Sequence, residues 1–406
     1  MVPSPVPTSP HTSPATLGLV ATCALGLEDF VAAELGALLP GRSGEIEKSR
    51  GAVTFPGDWT DVYRANWRLR TANRVLVEIA SFGGADGEAL YEGARALVLD
   101  GDREGPTGVL GWFSGLLHPD RTFSIQATAA GSEIRDSRWA ALRVKDGIVD
   151  AQRERWGRRA NVEREDPDLA LRLRLHRDRA TLLLDTSGEP LDRRGYRLDA
   201  GAAPVREHLA AACVLAAGWD GQGAIVDPMC GAGTLLIEAA DFALGRAPGR
   251  LRKSFAFERL PGFDPRRYAR VRAEAIPAIS SLETLALYGN DLSPQALAAA
   301  KANLERADLL PLARLTRGDA FYLEAPAPPP GLLLVNPPHG HRLEGRGEPQ
   351  DHWRQLGDLL KQKFRGYRAV VLAGETHGKG IGLKPKRRIP IWNGPLEGRI
   401  LIFDLY

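Results

Sequence analysis

The stretch AIVDPMCGAGTLLIEAADFAL, residues 224–244, constrains the fold more than any other. A short apolar run suited to a buried strand ends at Asp227. A glycine-rich turn follows, and a helix opens at Thr234. The same alternation recurs downstream. Strand LALYGND (285–291) leads to helix PQALAAAKANLERA (294–307). Strand GLLLVNPP (331–338) leads to helix DHWRQLGDLLKQKF (351–364), and strand RAVVLAG (368–374) follows. Buried-type strands alternating with helices predict an α/β fold, a doubly wound, mostly parallel sheet. The end, RRIPIWNGPLEGRILIFDLY, reads as two strands joined by a tight turn around Asn393–Gly394.

In such sheets the ligand sits beyond the carboxyl ends of the strands. Gly231 and Gly233 let backbone approach a ligand closely, and the helix N-terminus favours an anionic group. Asp227, Pro228, Cys230 and Thr234 belong to the same turn. A dinucleotide fingerprint needs a third glycine, and Leu236 stands there, so a nicotinamide or flavin site is not expected. Asp291 ends the next strand, where a carboxylate can accept both hydroxyl hydrogens of a ribose. Asp319, after another expected strand, can accept an exocyclic amine hydrogen of adenine. Either acid alone is also an ordinary loop residue, and Asp291 could simply cap the helix at Pro294. In series with the glycine turn they suit S-adenosyl-L-methionine.

VNPPHGHR (335–342) adds the chemistry. The exocyclic amine of a planar base is a poor nucleophile, because its lone pair is delocalised into the ring. The Asn336 side-chain oxygen and the Pro337 carbonyl can accept its two N–H bonds and aim the lone pair. Successive prolines restrict the backbone, so these acceptors are held in place before substrate arrives. A flat side chain at His339 can stack on the base, worth about 1–3 kcal/mol. The base must first leave its helix, unless it is already unpaired. No metal is expected: His339 and His341 have no Cys or acid nearby at ligand spacing.

The front of the chain has a different texture. LGLVATCALG reads as a strand, LEDFVAAELGALLP as a helix and GAVTFPG as a strand; WTDVYRANWRLRTANRVLVEIASF reads as a helix then a strand. TFSIQATA (122–129) is an expected strand and SRWAALRVKDGIVDAQRERWG (137–157) an amphipathic helix. LRLRLHRDRATLLLDTSG (171–188) alternates like a hairpin turning at Arg177–Asp178. The opening MVPSPVPTSPHTSPAT reads as a disordered tail without the layout of a secretion signal. No apolar run approaches the roughly 20 residues that span a bilayer, so no membrane partner is expected. Three scattered cysteines without a CxxC pair suit a reducing cytoplasm. The net charge of +3 adds only a slight preference for an anionic partner.

Taken together, VDPMCGAGTLLIEAA, DTSGEPLDRRGYR, APVREHLAAA, SFAFERL, GNDLS and VNPPHG resemble the THUMP-domain RNA guanine-N2 methyltransferases. They are most like the bacterial group that methylates 23S ribosomal RNA. ATCALGLEDFVAAEL, YRANWRLRTANRVL, LYEGA and WAALRVKDGIVDAQRERWG extend the resemblance upstream to about residue 17. It implies a tail over 1–16, a ferredoxin-like domain over 17–80, an RNA-binding THUMP domain over 81–188, and a class I methyltransferase domain over 189–406. It also implies that Tyr196, Arg197 and Pro204 cover the methionine end of the cofactor, and that Asn336 and Pro337 hold the target amine. Arg153, Arg155, Arg158 and Arg159, clustered at the end of the 137–157 helix, become RNA contacts on the same ground. The family's usual residue at 339 is aromatic, commonly Tyr, so His339 is a departure. The resulting expectation is an enzyme methylating guanine N2 in 23S rRNA. A tRNA guanine-N2 enzyme, an adenine-N6 DNA enzyme and a non-catalytic RNA-binding protein stand as alternatives.

Overall fold

The computed structural model describes residues 16–100, 115–197, 205–338, 349–374 and 380–406. The expected N-terminal tail thus lies, but for Thr16, outside the described residues. The front half runs β1 (Leu17–Cys23), α1 (Glu28–Leu38), β2 (Glu47–Ser49), β3 (Ala52–Gly57), α2 (Trp59–Arg68), β4 (Ala72–Gly83), α3 (Gly87–Leu99), β5 (Phe123–Ala130), α4 (Ser137–Trp156), β6 (Leu169–His176) and β7 (Arg179–Asp185). The residues explain the punctuation. Asp58 opens α2 with a capping box, accepting from Thr60 N at 2.7 Å while Asp61 accepts from Asp58 N at 3.0 Å. Gly157 ends α4 in the left-handed region at φ 71. Arg177 and Asp178, at φ 48 and 58, make the two-residue hairpin turn where the alternation places it.

The two expected front units share one seven-stranded sheet in the order β2-β3-β1-β4-β7-β6-β5. β4 pairs with β1 on one side and β7 on the other, and the expected boundary at residue 80 falls inside it. The 12-residue β4 pairs with β1 through residues 72–77 and with β7 through residues 76–83.

The back half runs α5 (Glu207–Ala217), β8 (Ala224–Asp227), α6 (Thr234–Ala243), α7 (Pro265–Ala273), β9 (Leu287–Asp291), α8 (Pro294–Arg306), β10 (Ala313–Arg317), β11 (Gly331–Val335), α9 (Pro349–Lys363), β12 (Arg368–Gly374), β13 (Arg387–Asn393) and β14 (Leu396–Asp404). Its sheet has the order β10-β9-β8-β11-β12-β14-β13 and is parallel except at β14. The β13–β14 turn is Gly394–Pro395, one residue later than expected, because Asn393 still pairs with Leu396. Successive residues of the central strands enter opposite cores. Ile225, Leu332 and Leu334 pack with α5 and α6, whereas Val226, Leu333 and Val335 pack with Leu356 and Leu360 of α9. That is the physical content of a doubly wound sheet.

The halves are docked by apolar and polar contacts together. Tyr63 and Trp67 of α2 enter an aromatic cluster with Phe255, Phe257 and Tyr268, the Tyr63–Phe257 centroids 4.7 Å apart. Arg64 makes a two-pronged bond to Glu274 at 2.8 and 3.0 Å. Trp392 N donates to Leu25 O at 3.0 Å, so the β1–α1 turn covers part of strand β13. Next to it Gly26 sits at φ +86, and a Cβ there would lie 2.2 Å from the Pro390 carbonyl oxygen. Gly26→Ala is expected to cost about 1–3 kcal/mol, read as a lower urea midpoint. Gly41→Ala, with nothing within 4 Å, should shift stability by no more than about 0.5 kcal/mol. Equal midpoints for the two variants would contradict this docking.

Candidate functional site

A cleft of about 790 Å³ opens at the carboxyl ends of β8, β9, β10 and β11. Its floor is the turn after β8. Gly231 stands at φ +52 with open space where a Cβ would be, while Gly233 stands at φ +80 with Ala300 of α8 3.4 Å from its would-be Cβ. One glycine therefore leaves room for a ligand, and the other lets two helices approach. Asp291 fixes the turn. Its Oδ2 accepts from Gly231 N at 2.9 Å and its Oδ1 from Ser293 N at 2.8 Å. Ser293, not Asp291, caps α8, accepting from Ala296 N at 3.2 Å. Each Asp291 oxygen keeps a further lone pair for a ligand.

Asn290, the residue before this acid, ties the strand ends together. It is 3% exposed, and its Nδ2 donates to Pro228 O at 3.1 Å and to Gly318 O at 2.9 Å. Thr316 Oγ1 donates to Asn290 Oδ1 at 3.0 Å. Asp319 Oδ1 accepts from Phe321 N at 3.0 Å, and Asp319 lines the cleft. Leu292 and Phe321 add apolar surface to the cleft, and the Phe321 ring meets His352 of α9 edge-on at 4.9 Å. Asn290, Leu292, Phe321 and His352 escaped the sequence reading. Leu292 carried a signal, being a large apolar residue just past a strand-end acid. His352 carried none, because it lies in a helix whose other buried residues are core.

Asp227, Pro228, Cys230, Gly231, Thr234, Asp291, Asp319 and Asn336 all line the cleft. Four other expected residues do not. Tyr196 is 1% exposed with its hydroxyl donating to Glu238 Oε1 at 3.2 Å, so its ring is core. Arg197 reaches the wall from behind, donating to Thr234 Oγ1 and Val205 O at 2.8 Å and pairing with Glu207 at 3.3 Å. Gly233 faces α8. Pro337 is buried, while Asn336 and Pro338 on either side line the cleft. Pro204 and His339 lie outside the described residues. Among the described residues no cluster of His, Cys, Asp or Glu has metal-holding geometry.

The expected RNA-contact arginines are largely engaged. Arg153 bonds Asp150 at 2.9 Å, and Arg158 pairs with Asp120 at 2.5 Å. Arg155 donates to Val98 O at 2.6 Å with its guanidinium over the Trp156 ring. Arg159 is exposed.

Burial dominates the charges behind the turn. It pushes the Glu207 carboxyl up to about 7 against the pull of Arg197, and raises the Cys230 thiol well above its ordinary value. A thiol so placed is packing, not a nucleophile. Asp227, 1% exposed, is pushed from 3.8 up to about 8 by burial; the Met229 N–H opposes the shift and the Asp291 charge adds to it. The folded chain thus keeps a proton that the unfolded chain releases, so stability falls as pH rises from about 4 to about 8. Asp227→Asn should flatten that part of the thermal midpoint's pH dependence. An unaltered curve would contradict the burial assigned to this carboxyl.

The cleft thus offers two strand-end carboxylates, Asp291 and Asp319, beside the apolar surface of Leu292 and Phe321, a set of groups suited to a polar ligand with a flat ring. Comparison with known proteins points the same way. Residues 194–399 match the family described as "RMKL-like, methyltransferase domain", residues 18–76 the "RlmL ferredoxin-like domain" and residues 112–185 the "THUMP domain". A protein of Synechocystis sp. named "Putative RNA methyltransferase slr0064" is 34% identical over 402 residues, covering 99% of this chain and 100% of that one. The "Ribosomal RNA large subunit methyltransferase K/L" of Allochromatium vinosum is 38% identical over 389 residues, covering 93% of this chain. The match takes in 50% of that protein, so the chain spans about half the length of this larger relative. The crystal structure of SMU.472 complexed with SAH superposes with a TM-score of 0.82 at 26% identity, covering 97% of this chain and 99% of that one. Fold, cleft and sequence agree that this chain belongs to the RMKL-like methyltransferases.

Proposed function

We propose that this chain transfers a methyl group from S-adenosyl-L-methionine to the N2 amine of a guanine in large-subunit ribosomal RNA. The observation that carries the reading is the position of Asn336. It follows β11, which pairs directly with β8, and it lines the same cleft as Gly231 and Asp291. An acceptor for a base amine and a seat for a nucleoside cofactor are thus side by side. The RNA substrate rests on the THUMP match and on the names of the relatives. The choice of guanine rests on the family resemblance of VNPPHG together with its flanking motifs.

When bound, the cofactor supplies an electrophilic methyl on a sulfonium. The chain's own residues do the rest. Asp291 accepts the ribose hydroxyls with the lone pairs left by Gly231 and Ser293. Asp319 accepts the adenine amine hydrogen, and the open space over Gly231 receives the methionine portion. Asn336 Oδ1 accepts one N–H of the target amine from the cleft wall, and the family resemblance gives the other to the carbonyl of Pro337, the buried residue between Asn336 and Pro338 of that wall; together they localise the lone pair and point it at the methyl. His339 stacks on the base. The transfer would be direct, the amine nitrogen taking the methyl from the sulfonium and releasing its own proton to solvent. No covalent enzyme adduct is needed.

Asn336→Ala should lower the single-turnover methylation rate by about 100-fold or more. Cofactor affinity, measured by calorimetry with S-adenosylhomocysteine, should stay nearly native. Near-native turnover would remove Asn336 from the reaction. A loss of cofactor binding to match the loss in rate would make it a cofactor residue instead.

A further inference from the structure

The front sheet has two unlike faces. Leu171, Leu173, Leu175, Ala180, Leu182 and Leu184 join the core beneath α3 and α4. The alternate residues of the same strands face the other way. There Val20, Ala52, Leu76 and Leu183 form a separate small apolar cluster, which places the two sets on opposite sides of the sheet. Toward the β5 edge this second face reaches solvent: Gln126, Thr128, Ala130, His176 and Arg179 are exposed and Arg174 is half-buried.

Basic groups are concentrated on that exposed part. Arg172, Arg174 and His176 follow one another along β6, every second residue and therefore about 6.6 Å apart. The register sets Arg179 of β7 opposite His176, and Arg177 sits in the turn between them. Asp185 neutralises Arg172 and Arg74, at 3.1 Å from Arg172. Among the described residues, Arg174, Arg177 and Arg179 form no ion pair. Arg179 Nε is steadied by Ser81 Oγ at 2.6 Å. The neighbours across the strands, Thr128 and Thr181 beside Arg174, are hydroxyl donors, and no Phe, Tyr or Trp ring shares this face of β5, β6 and β7. Phe82 points to the other side, against Gly93 of α3.

We propose that this basic strip on the β5–β6–β7 face is a docking surface for the phosphodiester backbone of the RNA substrate. The lack of large stacking rings and the row of guanidiniums without acidic partners, set among small hydroxyl neighbours, fit phosphates, not bases. The contact is sequence-independent and positions the RNA, while the choice of nucleotide belongs to the cleft. It differs from the arginines at the end of α4, where Arg153 and Arg158 already hold carboxylates.

The proposal rests on the RNA-methyltransferase reading, and its test separates the two. The full chain is titrated against deproteinised ribosomal RNA fragments over a range of salt concentrations. Cofactor binding and thermal midpoint serve as controls for folding. Arg174→Gln with Arg179→Gln should weaken RNA binding about tenfold or more and reduce the slope of log affinity against log salt by about 1.4–1.8, some 0.7–0.9 for each phosphate no longer neutralised. Arg174→Lys with Arg179→Lys should recover most of the affinity, because a phosphate accepts either charge. Unchanged affinity and slope in the glutamine variant would overturn the surface. So would a lysine variant as weak as the glutamine one, which would mean a role other than charge. Native protein that binds RNA in this way yet methylates no guanine would overturn the guanine-N2 reading and leave the surface standing.

Discussion

The carboxylate of Asp291 organises the catalytic half. One of its oxygens takes the N–H of Gly231 and the other takes the N–H of Ser293. It therefore holds the floor of the cleft and the entry of α8 at once, across two neighbouring strands. Two charge-assisted bonds to backbone N–H groups are strong bonds of their class. Asn290, one residue earlier, does the same work on the buried side by bridging Pro228 and Gly318. The loops after β8, β9 and β10 are thus fixed to one another before any ligand arrives, and preorganised polar groups of this kind supply much of an enzyme's advantage.

The same wall is tied to the front half through buried ionic groups. Arg194 donates to both oxygens of Glu238 at 3.2 and 3.3 Å and to the carbonyl of Arg70, which belongs to the front half. Arg70 in turn donates to the backbone carbonyls of Asp241, in the last turn of α6, and of Arg246, just after it. Two residues beyond Arg194, Tyr196 also bonds Glu238, and Arg197 reaches Thr234 in the cleft wall. Breaking such a buried pair is costly because it strands a charge, typically about 3–5 kcal/mol. The segment 194–197 therefore links the sheet that we assign to RNA with the turn that we assign to the cofactor.

Much of this was legible in the residues themselves. The alternation after residue 206 fixes the doubly wound sheet, because buried parallel strands need uninterrupted apolar runs and the turns need glycine. Asp227, Gly231, Asp291, Asp319 and Asn336 could be picked out because each sits at the end of such a strand, where an α/β sheet keeps its ligand. What escaped depended on tertiary packing. Nothing local says that β4 carries two partners and merges two expected units into one sheet. Tyr196 reads as a ligand residue from its motif, yet its hydroxyl is spent on Glu238. The arginines at the end of α4 form a charge cluster in sequence, but Arg158 is taken by Asp120 and Arg155 by the Val98 carbonyl, both from elsewhere in the chain; only Asp150, the partner of Arg153, is local. The basic strip on β6 and β7 was visible only as alternation; which face was open needed the register.

Our proposal places a base amine of RNA and the cofactor together between Asn336 and the Gly231 turn. Its most direct test is methyl transfer from cofactor carrying a deuterated methyl to deproteinised ribosomal RNA, followed by digestion to nucleosides and mass analysis. The label is expected in N2-methylguanosine. Label in N6-methyladenosine, or RNA that takes up none, would contradict the proposal.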